Sequence, residues 1–105
     1  MARIVQDSRS FRAQNAWGAL DVAEVEGATV RLHWSDQPYQ WHFNDGTEVF
    51  AVLDGTVVMK YRTSAGEQSV RLEPGSIFVA EPGDEHVAHP EGEARILVIE
   101  RKGSI

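Results

Sequence analysis

From Leu20 onward the chain is built of short apolar or alternating runs, each closed by a turn-forming pair such as Asp45-Gly46, Asp54-Gly55, Ala65-Gly66, Pro74-Gly75 or Pro82-Gly83. Helices need longer stretches with a 3.6-residue period, so this punctuation specifies an all-β domain. Strands are expected at 20–25, 29–34, 39–43, 47–53, 57–63, 68–72, 77–80, 85–88 and 95–100. Asp54-Gly55 is expected to close a tight hairpin between the fourth and fifth of these, because type I′ turns need positive φ and Gly accepts it without strain. Helical signals are confined to the N-terminal stretch, where Ser8 is expected to cap a short turn running through Phe11 and Arg12. Many short strands at roughly ten-residue intervals point to a barrel or a two-sheet sandwich.

At 105 residues with 42% hydrophobic content, the chain supports one packed core but not two. A net charge of −6 with no basic stripe argues against nucleic acid as a partner. No cysteine is present, which removes thiolate nucleophiles, disulfides and cysteine-zinc sites. Any metal must therefore bind through nitrogen and oxygen. No segment approaches the roughly 20 apolar residues of a membrane span, and the start lacks the apolar stretch of a signal peptide. A soluble cytoplasmic protein with no membrane partner is the expectation.

The chemistry concentrates in His42-x-Asn44-x-x-x-Glu48, followed by Gly55 and, after Pro82-Gly83, by His86. Residues two apart in a strand face the same side, so His42 and Asn44 point together while Trp41 and Phe43 point away. A reversal at Asp45-Gly46 is expected to return Glu48 on the neighbouring strand beside them, with Phe50 and Val52 below it. Pro82-Gly83 then delivers His86. Two imidazoles, a carboxylate and an amide can converge on one divalent metal.

These residues resemble the two motifs of the cupin superfamily of small β-barrel proteins. The first motif matches at His42, at Glu48 and at Gly55, with Asn44 in place of its second His. The second matches at Gly75, Gly83 and His86, with Glu81 in its Pro position and Pro90 in its Asn position. The resemblance implies a single-domain cupin barrel, a double-stranded β-helix or jelly roll, spanning 19–101. A short N-terminal segment, 1–18, would pack on it and a tail, 102–105, would follow. It also implies a divalent transition metal such as Mn, Fe, Ni or Zn, held by His42, Glu48 and His86 with Asn44 in the fourth place. Asn44 offers a carbonyl oxygen, a weaker donor than imidazole, or a hydrogen bond to metal-bound water.

Other residues read more simply. His89 should face away from His86, and His33, sharing a face with Arg31, reads as exposed or at most as a neighbour of the ligands. Tyr61 is the one acid–base candidate near the ligands, and a core tyrosine with a satisfied hydroxyl is the commoner outcome. Trp34 reads as core filling, with stacking on a substrate as the alternative. The acidic residues Glu81, Asp84, Glu85, Glu91 and Glu93 read as a solvated face that would repel phosphorylated substrates if it rimmed the pocket. Trp41, Phe43, Val49, Ala51 and Leu53 fall on faces turned away from the ligands and need cover, either from the segment around Phe11 and Trp17 or from a second subunit. A symmetric homodimer is expected.

Two functions compete on this reading. One is a metal-dependent enzyme, isomerase- or dioxygenase-like, acting on a small organic acid, sugar or aromatic compound. The other is a non-catalytic small-ligand-binding module whose metal site is degenerate at Asn44.

Overall fold

Alternation of β-branched and aromatic residues with polar ones produces seven strands in the computed structural model, which describes residues 1–104. They are β1 (Gly18–Val25), β2 (Ala28–Ser35), β3 (His42–Phe43), β4 (Glu48–Thr63), β5 (Gly66–Leu72), β6 (Ile77–Ala80) and β7 (Glu85–Arg101). A single 3-10 turn, Ser8–Ser10, precedes them. Ser8 lies inside that turn rather than capping it: Asp7 holds the cap position, and Ser10 Oγ donates to its carbonyl at 3.1 Å.

All pairings are antiparallel, and two strands serve two sheets. The N-terminal half of β4 pairs with β6 and with the C-terminal half of β7, and β2 and β1 extend that sheet on the far side of β7. The C-terminal half of β4 pairs with β5 and with the N-terminal half of β7, whose other edge carries β3. The result is a jelly-roll sandwich in which β4 and β7 bend from one sheet into the other. Phe50, Val52, Val57, Met59, Leu72, Ala88, Ala94, Ile96 and Val98 fill the space between the sheets.

Asp54-Gly55 does not close a hairpin. β4 runs through it, with register shifts between Val52 and Asp54 and between Asp54 and Thr56 opposite β7. The positive φ that a type I′ turn would need is present at Gly55 (φ 81°), where it serves a bulge that bends the strand. β7 crosses so closely there that an added Cβ would lie 2.3 Å from the Glu93 carbonyl oxygen and 2.9 Å from Ala94 Cα.

On the outer face of the five-stranded sheet, two cross-strand rows are apolar from edge to edge. One runs Leu20, Leu32, Leu97, Ala51, Ile77, and the other runs Ala23, Val30, Ile99, Val49, Val79. Ile77 is 65% exposed and Val79 51%. Of the five residues expected to need cover, only Val49 and Ala51 belong to these rows. Trp41 is already covered by Arg62, whose guanidinium sits 3.9 Å from the ring centroid.

The bend at Gly55 makes a paired prediction. Gly27 has the same φ of 81° but nothing within 4 Å of an added Cβ. Gly27→Ala should cost about 1–3 kcal/mol for the left-handed backbone alone. Gly55→Ala should cost about 1–3 kcal/mol more, for overpacking against β7. Urea denaturation of the two variants checks this, and equal losses would mean that β7 does not press on Gly55.

Candidate metal centre

Each candidate ligand is delivered by a different device. In the turn Glu81-Pro82-Gly83-Asp84, Asp84 N donates to Glu81 O at 3.0 Å, with Gly83 at φ 89° in the third position. That turn is pinned to β3, because Gly83 N donates to Asn44 O at 2.8 Å and Asn44 N donates to Asp84 O at 2.9 Å. His86 therefore registers directly opposite His42, and their rings lie 4.4 Å apart. Glu48 arrives from elsewhere. β3 pairs with β7 and not with β4, so Glu48 does not lie on a strand neighbouring His42, as the turn at Asp45-Gly46 suggested, but reaches it from the opposite sheet across the interior.

One donor atom from each of His42, Glu48 and His86 lies within 4.8 Å of the others, the only such His/Asp/Glu trio among the described residues. Glu48 and His86 are buried, and His86 Nε2 stands 3.0 Å from Glu48 Oε1. His42 Nδ1 donates to the Gln40 carbonyl at 3.2 Å, which leaves the lone pair on Nε2. Two buried polar atoms in the constellation have no partner: Asn44 Oδ1 and His86 Nδ1. Asn44 Nδ2 is engaged by the Gly46 carbonyl at 3.3 Å, so the amide presents its oxygen. Orphaned buried acceptors are rare unless an ion, water or ligand completes them. Two imidazoles and one carboxylate fit a divalent transition metal of the Mn, Fe, Ni or Zn type, whereas Asn44 is buried but not part of the cavity wall.

The trio opens into a cavity of about 120 Å³ whose wall also includes Trp17, His33, Tyr39, Phe50, Val98 and Glu100. Two of these, His33 and Glu100, add chemistry that the sequence reading did not assign to the site. Glu100 registers opposite Glu48 on the adjacent strand. Burial, a hydrogen bond with Glu48 and the charge of Glu48 push the Glu100 carboxyl up to about 8. Burial also pushes Glu48 upward, but hydrogen bonds with His86 and Glu100 and the charges of His86 and His42 outweigh it and bring Glu48 down to about 2. The pair thus holds one proton near neutral pH, on Glu100.

His33 is not on an exposed face. Burial lowers its pKa, and Nδ1 donates to the Trp17 carbonyl at 2.9 Å. That bond helps to hold Trp17 at φ 62°, a left-handed conformation that costs a bulky residue about 1–3 kcal/mol. The Trp17 indole Nε1 donates to the Gln37 carbonyl at 2.9 Å. The ring stands edge-on to Tyr39 at 5.5 Å, and Tyr39 in turn to His42 at 5.4 Å. An aromatic rim therefore leads to the ligands.

Tyr61 neighbours His86 across the strands, yet it is not part of the cavity wall; Phe78 stacks against both, at 5.7 Å from each ring. His89 also lies outside the wall. Trp34 is buried away from the cavity, with its Nε1 donating to Glu93 at 2.9 Å and Arg12 over its ring. None of the five acidic residues around His86 lines the cavity. Glu85 pairs with Arg62 and Glu91 with Arg71, each at 2.6 Å. Among the described residues no helix is long and apolar enough to cross a membrane.

Comparison with known proteins agrees with this architecture. A cupin-2 domain protein from Shewanella frigidimarina superimposes with a TM-score of 0.78 at 29% identity, over 91% of this chain and 90% of its own. A hydroquinone 1,2-dioxygenase in complex with Fe3+ superimposes with a TM-score of 0.77 at 13% identity, over 87% of this chain and 29% of its own. Hydroxypropylphosphonic acid epoxidase from S. wedmorenis gives 0.62 at 16% identity, over 70% of this chain and 43% of its own. These last two likenesses are of fold. No curated protein matches the sequence. The profile of the cupin domain matches residues 33–100, more than half of the chain, and takes in the whole trio: the chain belongs to the cupin family.

Proposed function

We propose that this protein is a metal-dependent enzyme of isomerase or dioxygenase type, acting on a small organic molecule held in the barrel. The observation that carries the reading is the buried convergence of His42, Glu48 and His86 beneath an open cavity. His42, Glu48 and His86 hold the ion, with Asn44 Oδ1 as a fourth, weaker donor. A bound divalent ion supplies Lewis acidity at the ligand oxygen that faces it. Trp17, Tyr39 and Phe50 exclude water and hold the body of the substrate. Glu100 faces the same space and is the carboxyl placed to exchange a proton with a bound ligand, the part that the sequence offered to Tyr61. The dioxygenase and the epoxidase among the structural neighbours accord with this reading. Metal binding without turnover would favour the non-catalytic ligand-binding module instead.

Protein purified without chelator should contain near-stoichiometric Mn, Fe, Ni or Zn by elemental analysis. His86→Ala should weaken affinity more than about 100-fold, since groups that merely support metal ligands already cost 10–100-fold. Asn44→His should tighten it by roughly tenfold or more by adding an imidazole. Wild-type protein that neither retains nor takes up any of these metals would sink the enzyme reading. An unchanged affinity in Asn44→His would remove residue 44 from the site.

The carboxyl pair makes a pH prediction for metal-free protein. Glu100 is raised from 4.5 to about 8, so the folded state keeps a proton that the unfolded state has lost. Its contribution to stability is complete below pH 4.5 and is lost as pH rises towards 8. Glu48, lowered to about 2, contributes the opposite slope only below pH 4.5. Thermal melts of metal-free protein should therefore show Tm falling from pH 5 to 8, and Glu100→Gln should flatten that fall. The same slope in the variant would mean that the proton resides elsewhere.

We further propose that the two apolar rows on the five-stranded sheet seat a second copy in a symmetric dimer. The support is the exposure of Leu20 on one edge and of Ile77 and Val79 on the other, on either side of Leu32, which the protomer itself already buries. Light scattering should give twice the protomer mass of 11.7 kDa, and Val79→Lys should return it to one protomer. A wild-type monomer at tens of micromolar would refute the dimer.

A further inference from the structure

The cavity describes its occupant beyond the ion. Its volume of about 120 Å³ is close to the roughly 150 Å³ that encloses a benzene ring in an apolar protein cavity, and it is open on one side. One six-membered ring fits inside, whereas most of a disaccharide or nucleotide would project from the open side. The polar groups of the wall are His33, His42, Glu48, His86, Glu100 and the Tyr39 hydroxyl, and three of them, His42, Glu48 and His86, converge within 4.8 Å of one another. The rest of the wall, Trp17, Phe50, Ala88, Val98 and the Tyr39 ring, is side-chain hydrocarbon and aromatic surface.

The rim is built to present ring faces rather than hydrogen bonds. Trp17 is held in a left-handed backbone conformation by the His33 bond to its carbonyl, and its indole N–H is consumed by the Gln37 carbonyl. A bulky residue stays in that conformation only where its surroundings impose it. What remains for a ligand is π surface, edge-on to Tyr39. A sugar would bury several hydroxyls against this surface without partners, which is costly.

Charge restricts the occupant further. No Lys or Arg lines the cavity, while two carboxyl groups do. Arg31 belongs to the adjoining groove that shares Glu100, and it is tied to Asp21 at 2.9 Å. A phosphate, sulfonate or carboxylate on the ligand edge away from the ion would thus be buried against aromatic surface with no cation to meet it.

We infer that the cavity takes a single flat ring that is uncharged except at hydroxyl oxygens on the edge facing His42, Glu48 and His86, a phenol or catechol type of compound, and that it rejects the same ring bearing an anion on its far edge. For which edge faces inward, this inference rests on the metal-site reading above; the size, flatness and charge terms come from the cavity wall itself. Among small organic acids, sugars and aromatic compounds, the wall selects the last.

The test is calorimetric titration of the full chain, zinc-loaded and metal-free, with catechol, catechol-4-sulfonate and glucose. Sulfonate is chosen because it is a poor metal ligand and so reports on the far edge. Catechol should saturate and bind at least about tenfold more tightly than its sulfonate in both forms, a difference of about 1.4 kcal/mol, and glucose should not saturate. Tyr39→Arg, which places a cation at the rim, should bring the sulfonate to parity with catechol or beyond it. Sulfonate binding as tight as catechol in the wild type, glucose binding tighter than catechol, or no catechol binding in either form would overturn the inference. Should the chain fail to bind Mn, Fe, Ni and Zn alike, the enzyme reading falls while the metal-free titrations still decide the ligand class. Should zinc bind and catechol not, the ligand class falls and the metal site stands.

Discussion

Two strands in this protein belong to two sheets at once, and the geometry of everything else follows from where they bend. β4 and β7 cross the molecule side by side, so a bend in one must be matched by the other. The match is made at Gly55, which lies so close to Glu93 and Ala94 that no side chain fits between them. Because β7 passes from one sheet into the other, it carries His86 on one arm and Glu100 on the other, facing the same enclosed space. β4 likewise places Glu48 on one arm and, on the other, Met59, which registers opposite the cavity-lining Ala88. Long strands shared by facing sheets are thus the reason that residues far apart in the chain meet without a loop having to carry them.

Burying Glu48 and His86 together is expensive unless each satisfies the other, and in the absence of an ion they do so through the 3.0 Å contact. Glu100 adds a second carboxyl to a space with no cation in its wall, which is why it retains a proton at neutral pH while Glu48 does not. The two groups have the same chemistry but different charge states, one neutral and one negative, set apart by the imidazoles beside Glu48 and by the repulsion of Glu48 on Glu100. Such a pair is a polarised site before anything binds. The unpartnered oxygen of Asn44 and nitrogen of His86 show that this arrangement is incomplete by itself.

Turn chemistry made part of the trio legible: Pro82-Gly83 does aim His86 at His42. The resemblance to cupins extended this to Glu48. What stayed hidden was tertiary. Asp54-Gly55 carries the local signal of a hairpin, but a bulge in a continuous strand demands the same positive φ, and only the strand opposite decides between them. His33 alternates with Leu32 and Trp34 in a way that reads as polar-outward. In a sandwich whose outer face carries apolar rows, His33 on the polar side of β2 instead lines the cavity, while Arg31 on the same side stays exposed. Glu100 ends the run Ile96-Leu97-Val98-Ile99 and so looks like a strand terminus reaching solvent, whereas its register places it against Glu48.

That inversion of β2 explains the rim as well. A histidine facing inward needs a partner for its ring N–H, and His33 finds it in the Trp17 carbonyl, at the point where the N-terminal segment enters β1. The bond helps to fix a backbone conformation that Trp17 would not adopt alone, and the fixed indole in turn meets Tyr39, which meets His42. A chain of contacts therefore connects the entry of the N-terminal segment to His42, the least buried of the trio. Removing the imidazole of His33 would release the strain at Trp17 and with it the wall that the ligand touches, although His33 belongs neither to the trio nor to either of its motifs. The trio is the group placed to hold an ion, but the shape of the space above it depends on a histidine one strand away.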